Sequence, residues 1–124
     1  MNQKIQVYII RTDAVSRHQG ALEELIYSDR VLQEIAGGSI RVISLTEHID
    51  LVVNHEYRNE ELPLNRVVLD REQKVTDYIC GNNVCIRHDQ TGQIQSITAE
   101  DVEIIEKQLK MLLGISEKEF FYII

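Results

Sequence analysis

Asn65 and Arg66 are the adjacent pair in this 124-residue chain best suited to holding a ligand. A planar guanidinium grips a phosphate or carboxylate through two parallel N–H donors, and a neighbouring carboxamide reads a polar edge. Pro63, the sole proline, stiffens the approach. Asn54 and Arg41 join them as candidate ligand-binding residues, because their strands are adjacent in sequence. The pair is expected on an accessible rim of a β-layer. The competing reading has Asn65 satisfying loop backbone groups and Arg66 paired with Asp77 or Glu61.

Four histidines and two cysteines complete the reactive set. His48 and His55, with Glu47, Asp50 and Glu56 nearby, converge across one hairpin if they form an acid–base or metal site. Their spacing matches no zinc signature, and polar histidines at loop edges are the simpler reading, which also serves His88-Asp89. Cys80 and Cys85 flank a turn at Gly81-Asn82-Asn83. In a tight hairpin they face each other with Cα atoms about 4.5 Å apart. They read as two inert buried thiols, as an oxidation-formed disulfide, or, with only two ligands local, as part of a metal site. No nucleophile elbow, phosphate loop, dinucleotide fingerprint or paired-carboxylate arrangement appears, and triplets such as Ser16-Arg17-His18 read as chance. The sequence therefore assigns no catalytic residue, no metal ligand and no cofactor.

Composition bounds what positions these residues. At 44% hydrophobic content the chain reads as one domain, 1–124, able to bury roughly two-thirds of its unfolded surface. A core over 1–114 precedes an apolar tail over 115–124. No stretch is apolar enough for a membrane span, and the opening residues lack a secretory pattern, so a soluble protein of the cytoplasm is expected. Thirteen basic against twenty acidic side chains give a net charge of −7, which opposes direct contact with nucleic acid and favours basic partners.

The local signals place the elements. Residues 4–11 alternate as a first strand, 12–20 form a loop with 14–17 extended, and 21–27, whose residues suit a helix as well as an alternating strand, are read as a second strand because a cap follows at Ser28. Ser28 caps a short helix over 29–36, which Gly37-Gly38 stops and delivers into a strand over 39–44. Residues 49–54 are another apolar run, 56–61 a charged loop and 67–69 a short apolar segment. The clearest predicted hairpin joins 74–80 to 84–88, and 93–97 returns as a further strand. Thr98 caps a long C-terminal helix with Val102, Ile105, Leu109 and Leu112 as its buried stripe and Gly114 as its end. The predicted fold class is α+β: a small mixed or antiparallel sheet of five to seven strands, one short helix and one long C-terminal helix. Phe120, Phe121, Tyr122, Ile123 and Ile124 either pack on the sheet or form an oligomer interface.

Five motifs carry a resemblance. Ile35-Ala36-Gly37-Gly38-Ser39-Ile40, Val53-Asn54, Leu62-Pro63-Leu64-Asn65-Arg66, Asp77-Tyr78-Ile79-Cys80-Gly81 and Ser96-Ile97-Thr98 follow one another in an order and spacing that resembles a domain-of-unknown-function family, number 3846, of phages, plasmids and conjugative elements. Alanine stands where valine is usual before Gly-Gly, and the Phe-rich tail lies outside the pattern. The resemblance implies a small α+β fold and a mobile-element source, and no chemistry.

The expected function is a non-enzymatic accessory protein of a phage or mobile element, active in counter-defence in the host cytoplasm and homo-oligomeric. It binds and sequesters a host defence protein or a small nucleotide-derived immune signal. An acidic interaction module or DNA mimic, using Glu100, Asp101, Glu103 and Glu106 against a host nuclease, is the alternative. A small metal-dependent hydrolase built on His48 or His55 stands last.

Overall fold

A computed structural model describes residues 3–13 and 19–124. The expected extension at 14–17 and the Ser16-Arg17-His18 triplet lie outside the described residues. Ten strands and two short helices follow in the order β1 (Lys4–Ile10), β2 (Ala21–Ile26), α1 (Asp29–Ala36), β3 (Ile40–Ser44), β4 (Ile49–Asn54), β5 (Leu64–Leu69), β6 (Val75–Cys80), β7 (Asn83–His88), β8 (Ile94–Gln95), α2 (Ala99–Gln108), β9 (Leu109–Ser116) and β10 (Glu119–Tyr122). The fold is therefore mainly β, which corrects the α+β expectation and its long terminal helix.

The strands form two antiparallel sheets. The first runs β2-β1-β7-β4-β3, with β8 paired to β7, and the second runs β10-β9-β5-β6. Their facing sides share one core, in which Tyr8, Leu51, Val53 and Cys85 of the first sheet meet Val68, Ile79 and Leu109 of the second, together with Ile105 of α2. The other side of the first sheet packs Val7, Val52 and Val84 under Leu32 of α1. The other side of the second sheet carries a smaller cluster of Val67, Leu69 and Leu112, flanked by Tyr78, Phe120 and Tyr122.

Local chemistry sets both ends of α1, and tertiary contacts complete the second. Ser28 is extended and its hydroxyl accepts from the Val31 amide, while Gly37, at φ 81°, donates its amide to the Gln33 carbonyl. Two side-chain amides satisfy the last carbonyls: Asn54 Nδ2 donates to Ala36 O at 2.9 Å and Asn82 Nδ2 to Ile35 O at 3.1 Å.

Two expectations fail where tertiary pairing decides. The predicted hairpin of 74–80 with 84–88 does not form, since β6 pairs with β5 in the second sheet and β7 with β1 and β4 in the first. Gly81, at φ 83°, and Asn82 instead carry the chain from one sheet to the other. The reason lies in β5, where Asn65 to Leu69 are all buried and both strand edges need partners. Cys80 and Cys85 accordingly sit in different sheets as free, buried thiols and do not face each other across a hairpin.

The predicted C-terminal helix likewise stops early. Its N-terminus is as expected: Thr98 and Asp101 form a reciprocal capping box. Leu109 then turns extended, at φ −114° and ψ 116°, and β9 pairs with β5 through Val68↔Leu109, Val67↔Lys110 and Arg66↔Met111. Leu109 and Leu112 are buried, but on opposite faces of a sheet. Gly114 lies within β9, and the tail returns as β10 through Glu117 and Lys118, both at positive φ. Phe120 and Tyr122 are half-buried on the second sheet, whereas Phe121, Ile123 and Ile124 are exposed.

Candidate functional site

Asn65 and Arg66 lie inside the protein, 1% and 2% exposed. Asn65 Nδ2 donates to Ile10 O at 3.0 Å and to Gly81 O at 2.9 Å, tying the end of β1 to the crossover between sheets. Arg66 Nη1 donates to the Asn65 carbonyl at 3.1 Å and to its side-chain oxygen at 3.0 Å. Asp77, one partner expected for Arg66, is bound by Arg58 through two contacts of 3.0 and 3.2 Å and by the Tyr57 hydroxyl at 3.1 Å. Asn54 is occupied in capping α1, and Arg41 is exposed on the edge strand β3 opposite Val53. The structure thus joins Asn65 to Arg66, holds Asn54 in another role and leaves Arg41 apart from the pair.

Arg66 borders a cavity of about 190 Å³ together with Glu106, Lys110, Ile123 and Ile124. Beneath it the Tyr8 hydroxyl donates to Glu106, and burial together with that carboxylate pushes the phenol well above its ordinary range. Burial also pushes the Cys85 thiol up, with Glu106 adding to the effect and Arg66 opposing it.

A second arrangement gathers chemistry from three turns and the end of α2. At the β3–β4 turn, Thr46 Oγ1 accepts from the amides of His48 and Ile49, at 3.2 and 3.0 Å. The His88 amide donates to His48 O at 3.0 Å, extending the β4–β7 pairing and bringing the two rings edge to face. His88 faces an acceptor at each ring nitrogen: Asp89 O lies 3.0 Å from Nδ1 and Asp50 Oδ2 lies 3.3 Å from Nε2. The contact with Asp50 is ionic only when the ring is protonated. His55, expected to converge with His48, is exposed and its amide donates to Ser39 O, so His88 takes the place given to it.

Asp89 fixes the adjoining turn. Its Oδ1 accepts from Thr91 N, Thr91 Oγ1 and Gln93 N at 2.8, 2.6 and 3.0 Å. Those donors, the Thr91 hydroxyl first, hold its carboxyl below the usual range.

Two hollows of about 410 Å³ each meet at Glu47 and His48. One continues past Arg71, Ile104, Lys107 and Gln108, and the other past His88 and the turn over residues 89–92. Among the described residues, three buried side-chain atoms have no hydrogen-bond partner; two of them, His48 Nδ1 and Gln108 Oε1, belong to residues lining this groove. Neither Arg71, Lys107 nor Glu47 forms an ion pair within the described residues. No group of three or more His, Cys, Asp or Glu side chains there is placed to hold a metal ion. Sequence spacing singles out Glu47, His48 and Asp50, with His88 read as a loop-edge histidine, but not Arg71, Lys107 or Gln108, which lie on two other chain segments and carry no local signal.

A family model described as Domain of unknown function (DUF3846) matches residues 5–110. The chain belongs to the DUF3846 family. The matched span of this DUF3846 chain contains every residue of the groove and ends within β9, leaving β10 outside it. No curated protein and no solved structure matches the DUF3846 chain. No described helix is long and apolar enough to cross a membrane.

Proposed function

We propose that this DUF3846 protein is a non-enzymatic binding module that captures a small nucleotide-derived anion in the groove around His48. The carrying observation is a groove rimmed by Arg71 and Lys107, which form no ion pair among the described residues, and lined by His48 and Gln108, each of which holds a buried polar atom, Nδ1 and Oε1, without a partner. A buried polar atom without a partner costs about 1–3 kcal/mol, which a ligand that bonds to it restores. Both ring nitrogens of His88 already face acceptors, which leaves His48 as the groove ring with a nitrogen unused for a ligand. In a phage or other mobile element, such a module sequesters a host's nucleotide-derived signal as a counter-defence factor.

The acidic-mimic reading draws less support. Of its four helix acids, Asp101 is buried against Arg87 and Glu106 accepts from Tyr8, which leaves Glu100 and Glu103 exposed. A thermal-shift panel of cyclic nucleotides and ADP-ribose derivatives tests the proposal. A ligand at 100 times its Kd adds about 2.7 kcal/mol of stability, a shift of several degrees. No shift with any member overturns it.

A further inference from the structure

The two hollows differ in charge, and the difference has chemical content. On the α2 side, Arg71 and Lys107 are exposed cations, while Ile104, 39% exposed, offers an apolar wall. On the β7–β8 side, the turn presents Asp89, whose Oδ1 is fully engaged, and Thr91, with no lysine or arginine in the lining. Glu47, exposed and unpaired, borders both hollows with His48. A ligand with charge at one end only fits one half. A ligand anionic at one end and rich in O–H or N–H donors at the other matches both.

We infer that the groove reads a nucleoside phosphate end to end: the phosphate between Arg71 and Lys107, the ribose hydroxyls on Glu47 and Asp89, and His48 between them. This rests on the binding role proposed above and names the ligand's polarity within the same site. Lys107 and Arg71 come from separate elements, the last turn of α2 and the β5–β6 turn, and both line the same hollow. On the acidic side, a ribose diol donates two hydrogen bonds to a carboxylate, a charge-assisted contact of the kind that a bare phosphate cannot make. The His48 ring and the Gln108 amide supply the middle of the site. Their terminal torsions have broad wells, so each side chain turns towards a ligand at small cost. Each hollow lies within the roughly 300–1,000 Å³ range of small-molecule sites.

Calorimetric titration of the full chain with adenosine 5′-monophosphate, adenosine and inorganic pyrophosphate tests this polarity. The monophosphate is expected to bind at least 10-fold more tightly than adenosine. Arg71→Gln with Lys107→Gln reduces it to the adenosine level, and Glu47→Gln weakens monophosphate and adenosine alike while leaving pyrophosphate unchanged. All three substituted side chains are exposed, and thermal melts confirm that the variants stay folded. Pyrophosphate binding as tightly as the monophosphate, with no response to Glu47→Gln, overturns the two-ended reading and leaves an anion-binding module standing. Adenosine binding as tightly as the monophosphate overturns the phosphate placement. Binding of none of the three overturns the inference, and if the thermal-shift panel is silent as well, the binding role falls with it.

Discussion

The imidazoles of His48 and His88 meet edge to face, their centroids 6.2 Å apart and their planes inclined by 60°. The contact follows from backbone geometry: β4 and β7 pair through Ile49↔Arg87 and Asp50↔Ile86, so the residues just past these positions come together at one end of the sheet. His88 is held by Asp50 and Asp89, whereas His48 keeps a buried nitrogen with no partner. One ring is therefore a fixture and the other is available.

That asymmetry makes His48→Phe informative. Removing a partnerless polar atom from a buried position is expected to leave the free protein as stable as before or more stable, by up to about 1 kcal/mol. The same variant is expected to lose the nucleotide-induced thermal shift. Urea denaturation with and without nucleotide reads both effects.

Asn65→Ala is expected to be severe. It leaves the carbonyls of Ile10 and Gly81 without their donor and deprives Arg66 of a side-chain acceptor inside the protein. A loss of about 3 kcal/mol follows from several unsatisfied buried groups, and the urea midpoint measures it.

Asp101→Ala removes two interactions at once. Its carboxylate accepts from the Thr98 amide at 2.9 Å and from Arg87 Nη1 at 2.6 Å, with its side chain 3% exposed. A cost of about 2–4 kcal/mol is expected from the lost cap and the broken pair, read as a fall in thermal midpoint.

Stability is expected to fall in alkali. Burial pushes the Cys80 thiol up to about 11 and the Cys85 thiol higher still, against about 8.5 for an unfolded cysteine. Below about pH 8.5 both states keep their protons and the contribution is intact. Between there and about pH 11 the unfolded chain binds fewer protons than the folded one, so unfolding is favoured as pH rises. Urea midpoints at pH 8, 9 and 10 should decline less steeply in Cys80→Ala/Cys85→Ala than in the parent, and parallel declines would contradict the assignment.

The β9–β10 turn holds two non-glycine residues in the left-handed region, Glu117 at φ 47° and Lys118 at φ 70°. Lys118→Gly relieves a left-handed side chain and is expected to stabilise by about 0.5–1 kcal/mol, visible in a thermal melt.

The elements legible in the sequence were those that local chemistry settles. Ser28 and Gly37 bracket α1, and Thr98 with Asp101 starts α2, because a cap bonds to residues three or four positions away. The run from Leu109 to Ile115 was not legible, since its apolar residues fit a helical stripe as well as a strand. The edge of β5 decided the matter. The same competition separated β6 from β7 despite a good turn sequence between them. For the site, Glu47, His48 and Asp50 stand close in sequence, whereas Arg71, His88 and Gln108 reach the groove only through the folded topology.

The groove and the Arg66 cavity make opposite claims on a ligand, and amide chemical-shift mapping separates them. In a two-dimensional ¹H–¹⁵N titration with adenosine 5′-monophosphate, perturbations are expected at residues 46–48, 71–73, 89–92 and 107–108. Perturbations centred on Arg66, Lys110 and Ile123, or a spectrum that does not change, would contradict the placement of ligand binding around His48.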